Sequence, residues 1–410
     1  MQHTPTAPLN DSPAKPSREF TLMMAAMMAA VALSIDALLP ALGVIAQELQ
    51  VQNRNHTQFL IGGLFMGMAL GQLIAGPLSD ALGRRRVLFT GLAIHFAGSL
   101  VCLFAPSFGV LLAGRIIQGL GAAGPYVSAV SIVRDKYSGR AMARVMSLVM
   151  MIFIMVPAVA PSLGQAVMEL AGWRDIFVMY LGYAMVLCAW VALRLKETLP
   201  RERRIPFNPR NILHGLRAVL RTRVSMCYTL CMGICFGSLL GYLNSSQQIF
   251  QDHFNTGKRF TLYFGALAMV IGLSSLVNAR IVQRLGMRYI ALRAMAATVA
   301  SSALFLLLHL FVEPTLPMFM AYAATLFFCF GLIQGNLNAL AMEPMGNMAG
   351  LAASVIGASS SVFSMSIGAV VGQSYNDTLI PMATAFTVLF SVGLLIMRYA
   401  GQQPFPQQTA

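Results

Sequence analysis

Apolar residues run along this chain in long, nearly unbroken stretches, and polar residues collect in the short breaks between them. Stretches of ~20 residues match what a helix needs to cross a bilayer core of ~30 Å. Hydrocarbon leaves backbone N–H and C=O groups without water, so each stretch is expected to be helical. The runs are continuous rather than alternating, which argues against a transmembrane β-barrel. The pattern predicts twelve helices, over 20–46, 57–79, 87–105, 108–133, 142–168, 175–195, 223–250, 260–283, 288–311, 316–342, 350–374 and 379–399. The expected fold class is an all-α membrane protein.

Composition agrees with this. The chain is 57% hydrophobic but only 10% charged, whereas soluble domains are about a quarter charged. Mean hydropathy is +0.70. Residues 1–19 are polar and carry Pro5, Pro8, Pro13 and Pro16, so they read as a disordered cytoplasmic tail. No small-residue cleavage site follows the first apolar run at signal-peptide spacing, so that run is expected to stay. The expected organisation is a six-helix bundle over 20–195, a cytoplasmic linker over 196–222, a second bundle over 223–399, and a cytoplasmic tail over 400–410.

Charge then orients the map. With the N-terminus inside, cytoplasmic segments hold 23 of the 28 Lys and Arg residues. External segments hold four, Arg54, Arg174, Lys258 and Arg259, and Arg115 lies within a helix. The positive-inside rule therefore puts both ends in the cytoplasm. It also accounts for the net charge of +14 without a nucleic-acid partner, because basic loops facing anionic lipid explain it. The six cysteines include Cys227, Cys231 and Cys235 on one helix face. They lack His or carboxylate partners at ligand spacing, so no metal site is expected, and no disulfide framework is implied.

The two halves echo one another. Leu82-Gly83 with Arg85 recurs as Leu285-Gly286 with Arg288. Ile117-Gln118-Gly119 recurs as Ile333-Gln334-Gly335, and Gly164-Gln165 as Gly372-Gln373. The offsets, 203, 216 and 208, are each about half the chain. Repeated halves around a midplane site are a mark of secondary transporters.

Two charged residues lie well inside predicted helices, Asp36 in the first and Arg115 in the fourth. Intramembrane charge costs ~2.5–3.5 kcal/mol or more, so both are functional candidates. From the helix ends, their depths agree within about one turn at 1.5 Å per residue. Either they pair across the N-terminal cavity or both face it. Desolvation and a nearby arginine act in opposite directions on a carboxylate, which suits proton binding during transport. A fixed Asp–Arg staple is the structural alternative.

Gly76-Pro77-Leu78-Ser79-Asp80-Ala81-Leu82-Gly83-Arg84-Arg85-Arg86 joins the second and third helices and reads as a gating turn or as a topology anchor. The fifth helix carries Pro157, Pro161 and Gly164, which suit a rocking seam or a passive kink. Asn244, Gln247 and Gln248 near the outer end of the seventh helix, and Gln373 in the eleventh, either line a substrate cavity or glue helices together. His95 and His309 are expected to make interhelix hydrogen bonds, with a proton relay as the alternative.

These residues resemble the major facilitator superfamily, and within it the twelve-helix drug:proton antiporters of the Bcr/CflA type. The 76–86 turn is similar to the family's signature turn at Gly76, Asp80, Gly83, Arg84 and Arg85. Arg115-Ile116-Ile117-Gln118-Gly119-Leu120-Gly121 resembles its proton-linked arginine motif, and Ser34-Ile35-Asp36-Ala37-Leu38-Leu39-Pro40 its acidic motif. Arg134-Asp135-Lys136-Tyr137-Ser138-Gly139, Pro157-Ala158-Val159-Ala160-Pro161-Ser162-Leu163-Gly164, Gly172-Trp173-Arg174-Asp175-Ile176-Phe177 and Glu197-Thr198-Leu199-Pro200 are similar to segments of this subgroup. Two departures stand out. Gln165 follows Gly164 where the family often has glycine, and Gln283 stands in the second-half turn where the first has Asp80.

The resemblance implies proton-driven efflux of small amphiphilic organic molecules across an inner membrane, by a lipid-embedded monomer that needs no cofactor and is not an enzyme. Asp36 and Arg115 would couple protons. An exporter of one endogenous metabolite, such as a siderophore or amino-acid derivative, is the alternative, followed by a non-transporting receptor. No phosphate loop, metal cluster or nucleophile triad argues for catalysis.

Overall fold

A computed structural model describes residues 17–137 and 139–401. Most of the tail expected over 1–19, nearly all of that over 400–410, and Ser138 lie outside these residues. The described chain is all helix: α1 Arg18–Asp36, α2 Leu42–Glu48, α3 Phe59–Leu82, α4 Arg84–Leu103, α5 Phe108–Lys136, α6 Gly139–Ala171 and α7 Asp175–Arg194. There follow α8 Pro209–Arg221, α9 Arg223–Gln247, α10 Phe260–Leu285, α11 Met287–His309, α12 Leu316–Met342, α13 Ala349–Gln373 and α14 Ile380–Ala400. Among the described residues, twelve spans are long and apolar enough to cross a membrane, the first made of α1 and α2 together. An even number of crossings puts both described ends and α8 on one face, called here the end face. The opposite one is the far face.

Most spans bury one side against their neighbours and leave the other apolar and uncovered, while the first span and α9 are buried nearly all round. Leu170, Leu193 and Phe311 are 88%, 84% and 77% exposed. Such side chains would be misplaced in water and are at home in hydrocarbon. In the first half α5 packs against α3 and α4, and in the second α9 packs against α12, α13 and α14. The halves meet chiefly where α3 lies on α13 and α6 on α10.

The internal repeat has a structural counterpart. Gly83 (φ 102°) joins α3 to α4, and Gly286 (φ 81°) joins α10 to α11. Both occupy the left-handed region where a side chain is strained, so the same glycine recurs at the same reversal in each half.

Most helix ends shift by a few residues from the sequence expectation, and one helix is broken in its interior. The first helix does not run unbroken over 20–46. It stops at Asp36, passes through a 3₁₀ turn at Leu39–Ala41, and restarts as α2. Pro40 is the cause: it has no N–H to give the Asp36 carbonyl four residues back, and its ring collides with that carbonyl. The expected 196–222 linker contains a 3₁₀ turn at Arg201–Arg203 and the helix α8.

Candidate functional site

The break after Asp36 creates a polar centre within the first half. A helix end leaves its last carbonyls without partners. Ala37 N–H takes the Leu33 carbonyl at 3.2 Å, but Ser34 has none from the chain ahead. Arg115 of α5 supplies it: its Nη2 donates to Ser34 O at 2.8 Å, and the Tyr180 hydroxyl donates to the same oxygen at 3.4 Å. Arg115 Nε donates to Leu60 O of α3 at 3.1 Å, and Nη1 to Gln118 Oε1 at 2.5 Å. Gln118 Nε2 in turn donates to Ser99 Oγ at 2.9 Å, while His95 Nδ1 lies 3.1 Å from the Gln118 carbonyl. The guanidinium is fully buried and ties α1 and α3 to its own helix α5 through one side chain. A positive charge at a helix C-terminus also complements the negative end of the α1 dipole.

Asp36 is only 4% exposed and lies two residues beyond Ser34, whose carbonyl Arg115 holds. It makes no ion pair with Arg115 or with any other cation among the described residues. Of the two arrangements open from sequence, the pair is therefore absent from this structure. The reason is that the broken helix offers Arg115 a free backbone carbonyl, and the arginine takes it. What remains is a buried carboxyl group with no counter-ion, at a helix break. Gly164 of α6 seals that break. A Cβ there would fall 1.8 Å from Ala37 O, so only glycine lets α6 cross so closely. Pro157 and Pro161 lie within the same helix, which packs against α1 on one side and α10 on the other.

The 76–86 turn is a charge network at the end face. Arg84 is 3% exposed. Its Nη1 meets Asp80 at 2.5 Å and its Nε meets Asp135 of α5 at 2.9 Å. Glu197 accepts the Arg84 and Arg85 amides at 3.0 and 3.2 Å, capping the start of α4 with an acid where the dipole is positive. Arg85 donates to Ala192 O at 2.9 Å and lies over the Phe89 ring. These charges stay within the first half and the start of the 196–222 linker, to which Glu197 belongs. The turn reaches the second half through Gly76, where an added Cβ would be 2.5 Å from Ser354 Oγ, and the linker through Ile205 N–H on Asp80 O at 3.1 Å. In the second half Gln283 is exposed and Arg288 donates to Met397 O at 3.0 Å, so the turn there has no equivalent acid.

At the far face the halves are joined by amides. Asn55 Nδ2 donates to Tyr375 O at 3.0 Å and to Gln373 O at 3.3 Å, and its Oδ1 accepts from Gln248 Nε2 at 2.8 Å. Gln58 Nε2 donates to Gln248 Oε1 at 2.9 Å, and Gln373 Nε2 to Asn55 O at 2.6 Å. Ion pairs flank this latch, Arg54–Asp252 at 3.6 Å and Lys258–Glu169 at 2.8 Å. Beside it lies a pocket of about 370 Å³ lined by Gln47, Thr57, Gln165, Gln247, Gln248 and Gln251, among others. Of the four residues singled out as cavity candidates, Gln247 and Gln248 line this pocket. Gln373 belongs to the latch, and Asn244 donates to Gly368 O at 3.1 Å, gluing α9 to α13.

Several participants escaped the sequence reading. Asn55 and Gln58 sit in the 3₁₀ turn Arg54–Gln58, at the entry to the second predicted span, with no periodicity to mark them. Ser34 and Leu60 act through backbone carbonyls, which side-chain identity does not advertise. Asp135 and Glu197 lay in the subgroup segments, but their joint hold on Arg84 depends on how α4, α5 and the end of α7 come together.

Comparison with known proteins fits this geometry. The family model for the Major Facilitator Superfamily matches residues 22–372. The MFS-type transporter YdgK of Bacillus subtilis (strain 168) is 30% identical, over 88% of this chain and 90% of its own length. The bicyclomycin resistance protein homolog of Haemophilus influenzae is 26% identical, over 88% and 89%. The multidrug resistance protein MdtL of Klebsiella pneumoniae (strain 342) is 27% identical, over 88% and 91%. Among solved structures, the human organic anion transporter MFSD10 superposes with a TM-score of 0.68 at 19% identity, over 93% of this chain and 99% of that one. The resemblance to Bcr/CflA-type exporters therefore holds beyond single motifs, and both family and fold are those of transporters rather than enzymes. With a model match across most of its length and a relative at 30% identity over nearly the whole of it, this chain belongs to the major facilitator superfamily.

Proposed function

We propose that this protein exports small amphiphilic organic molecules across the bacterial inner membrane in exchange for protons, as a lipid-embedded monomer working by alternating access. The bundles 20–195 and 223–399 would rock about the α3–α13 and α6–α10 seams, tethered by 196–222. The bias of 23 basic residues against four supports a cytoplasmic end face. On that orientation, the amide latch holds the outside closed.

The observation that carries proton coupling is Asp36, a buried carboxylate at a helix break with no cation to neutralise it. Its surroundings change when the halves rock. A group wet in one state and dry in the other binds its proton with different affinity in each, and that difference is the coupling. Arg115 would act by holding the end of α1 rather than by pairing. The test is pH-gradient-driven transport in proteoliposomes, with bicyclomycin and ethidium as probes. Asp36→Asn keeps size and hydrogen bonding without titration and is expected to abolish gradient-driven accumulation while probe binding persists. Full gradient-driven transport by the variant would end the assignment.

One observation favours the narrower alternative, a dedicated exporter of one polar metabolite. The far-face pocket is lined by five glutamine amides, which suit a hydrogen-bonding cargo better than a greasy one. Inability of the wild type to move either probe, with retained transport of a polar metabolite, would favour that reading.

A further inference from the structure

α8 has no part in the sites above. It starts behind Asn208, whose side chain accepts from the Arg210 amide at 2.9 Å, and ends at Arg221, two residues before the α9 span begins. That tether holds it where hydrocarbon gives way to lipid headgroups. Its side chains are sorted by angle. Val219 is buried and Leu216 is partly buried against the core, which docks the helix. Leu213 and Leu220, seven residues apart on one side, are 65% and 49% exposed. Arg210, Arg217 and Arg221 form the adjoining stripe. All three are exposed, and none makes an ion pair among the described residues. The two stripes line an open groove of about 600 Å³.

We propose that this groove binds one anionic phospholipid of the leaflet at the end face, with its phosphate on the arginine stripe and an acyl chain along Leu213, Leu216 and Leu220. The two stripes select the occupant together. A free anion would satisfy the arginines and leave the leucines wet. A neutral lipid would cover the leucines and leave three guanidiniums unmatched. An anionic amphiphile satisfies both. The segment around the groove has the right sign, since 196–222 holds seven basic residues against two acidic ones. Because α8 packs on α13, which packs on α3, the bound lipid bears on the seam between the halves.

The experiment is native mass spectrometry of the full chain in detergent, titrated with dioleoylphosphatidylglycerol or dioleoylphosphatidylcholine. The wild type is expected to retain phosphatidylglycerol preferentially. Each arginine near an anionic lipid surface is worth about fivefold in affinity, so Arg210→Gln/Arg217→Gln/Arg221→Gln should weaken phosphatidylglycerol binding on the order of a hundredfold. Arg217→Gln alone should weaken it about fivefold, which keeps the test alive should the triple variant fail to fold. Leu213→Ser/Leu220→Ser should weaken both lipids. Removing equal charge elsewhere on the end face, by Arg86→Gln/Arg280→Gln/Arg284→Gln, should leave binding unchanged. An equal loss in that control would mean a diffuse field rather than a site, and would overturn the proposal. Displacement of the lipid by soluble glycerol phosphate would overturn it as well, since the groove would then be an anion site without an acyl component.

Discussion

Replacing Asn55 with alanine strips the far-face latch of its centre. The change removes two bonds donated by Nδ2, to Tyr375 O and Gln373 O, and one accepted by Oδ1 from Gln248. The bond from Gln373 Nε2 to the Asn55 carbonyl survives because it uses backbone. A net hydrogen bond is worth about 1 kcal/mol, and the 3.3 Å contact shares its donor with a shorter one, so the loss is about 2–3 kcal/mol. At tenfold per 1.4 kcal/mol, the closed far face should lose on the order of 30–100-fold in population relative to the open one. The flanking ion pairs do not compensate, because the Arg54 and Asp252 side chains are 61% and 40% exposed and such pairs contribute little. Spin labels at Gln52 and Asn376, on a background lacking the native cysteines, would report the opening as a second, longer distance population by double electron–electron resonance. Asn55→Asp keeps the acceptor for Gln248 but loses both donors and turns a carboxylate oxygen toward the Tyr375 and Gln373 carbonyls, so it should open the far face as well. Wild-type distance distributions in both variants, at unchanged thermal stability, would refute the latch.

Two further outcomes follow from the geometry. Gly164→Ala would put a methyl 1.8 Å from Ala37 O, against backbone that cannot swing aside; α6 must retreat from the α1 break at a cost of about 1–3 kcal/mol, read as a lower melting temperature in detergent together with reduced transport, and unchanged values of both would show the crossing to be slack. Asp80→Asn should leave expression near normal, because Arg84 keeps Asp135 and Asp80 is 38% exposed, but should slow transport of a probe dye, and a normal rate at normal protein level would reduce the turn to a topology anchor.

Much of this was legible because membrane solvation is a severe and one-dimensional constraint. A span must be apolar for about 20 residues whatever packs against it, so the number of spans, the all-α class and the placement of Lys and Arg follow from local composition. The 76–86 turn was legible too, because Gly83 needs a positive φ that few residues tolerate, and its recurrence at Gly286 exposed the repeat. Asp36 and Arg115 stood out for an equally local reason, the cost of charge in hydrocarbon. The break in the first helix was written in Pro40, yet an apolar window that long masked it.

What Asp36 and Arg115 do to each other was decided only by the tertiary fold. Two opposite charges at matching depth suggest a pair, but the Ser34 carbonyl freed by the break competes for the same guanidinium and takes it. The amide latch is similarly invisible in sequence: Asn55, Gln248 and Gln373 are ordinary polar residues lying far apart in the chain, and they become a unit only when the two halves close on each other. By itself, then, the sequence determined how many spans the chain has and which charged residues fall inside them, because solvation energies attach to residues one at a time. The tertiary structure decided who partners whom, because hydrogen-bond acceptors, many of them backbone carbonyls, acquire positions only once the helices are packed.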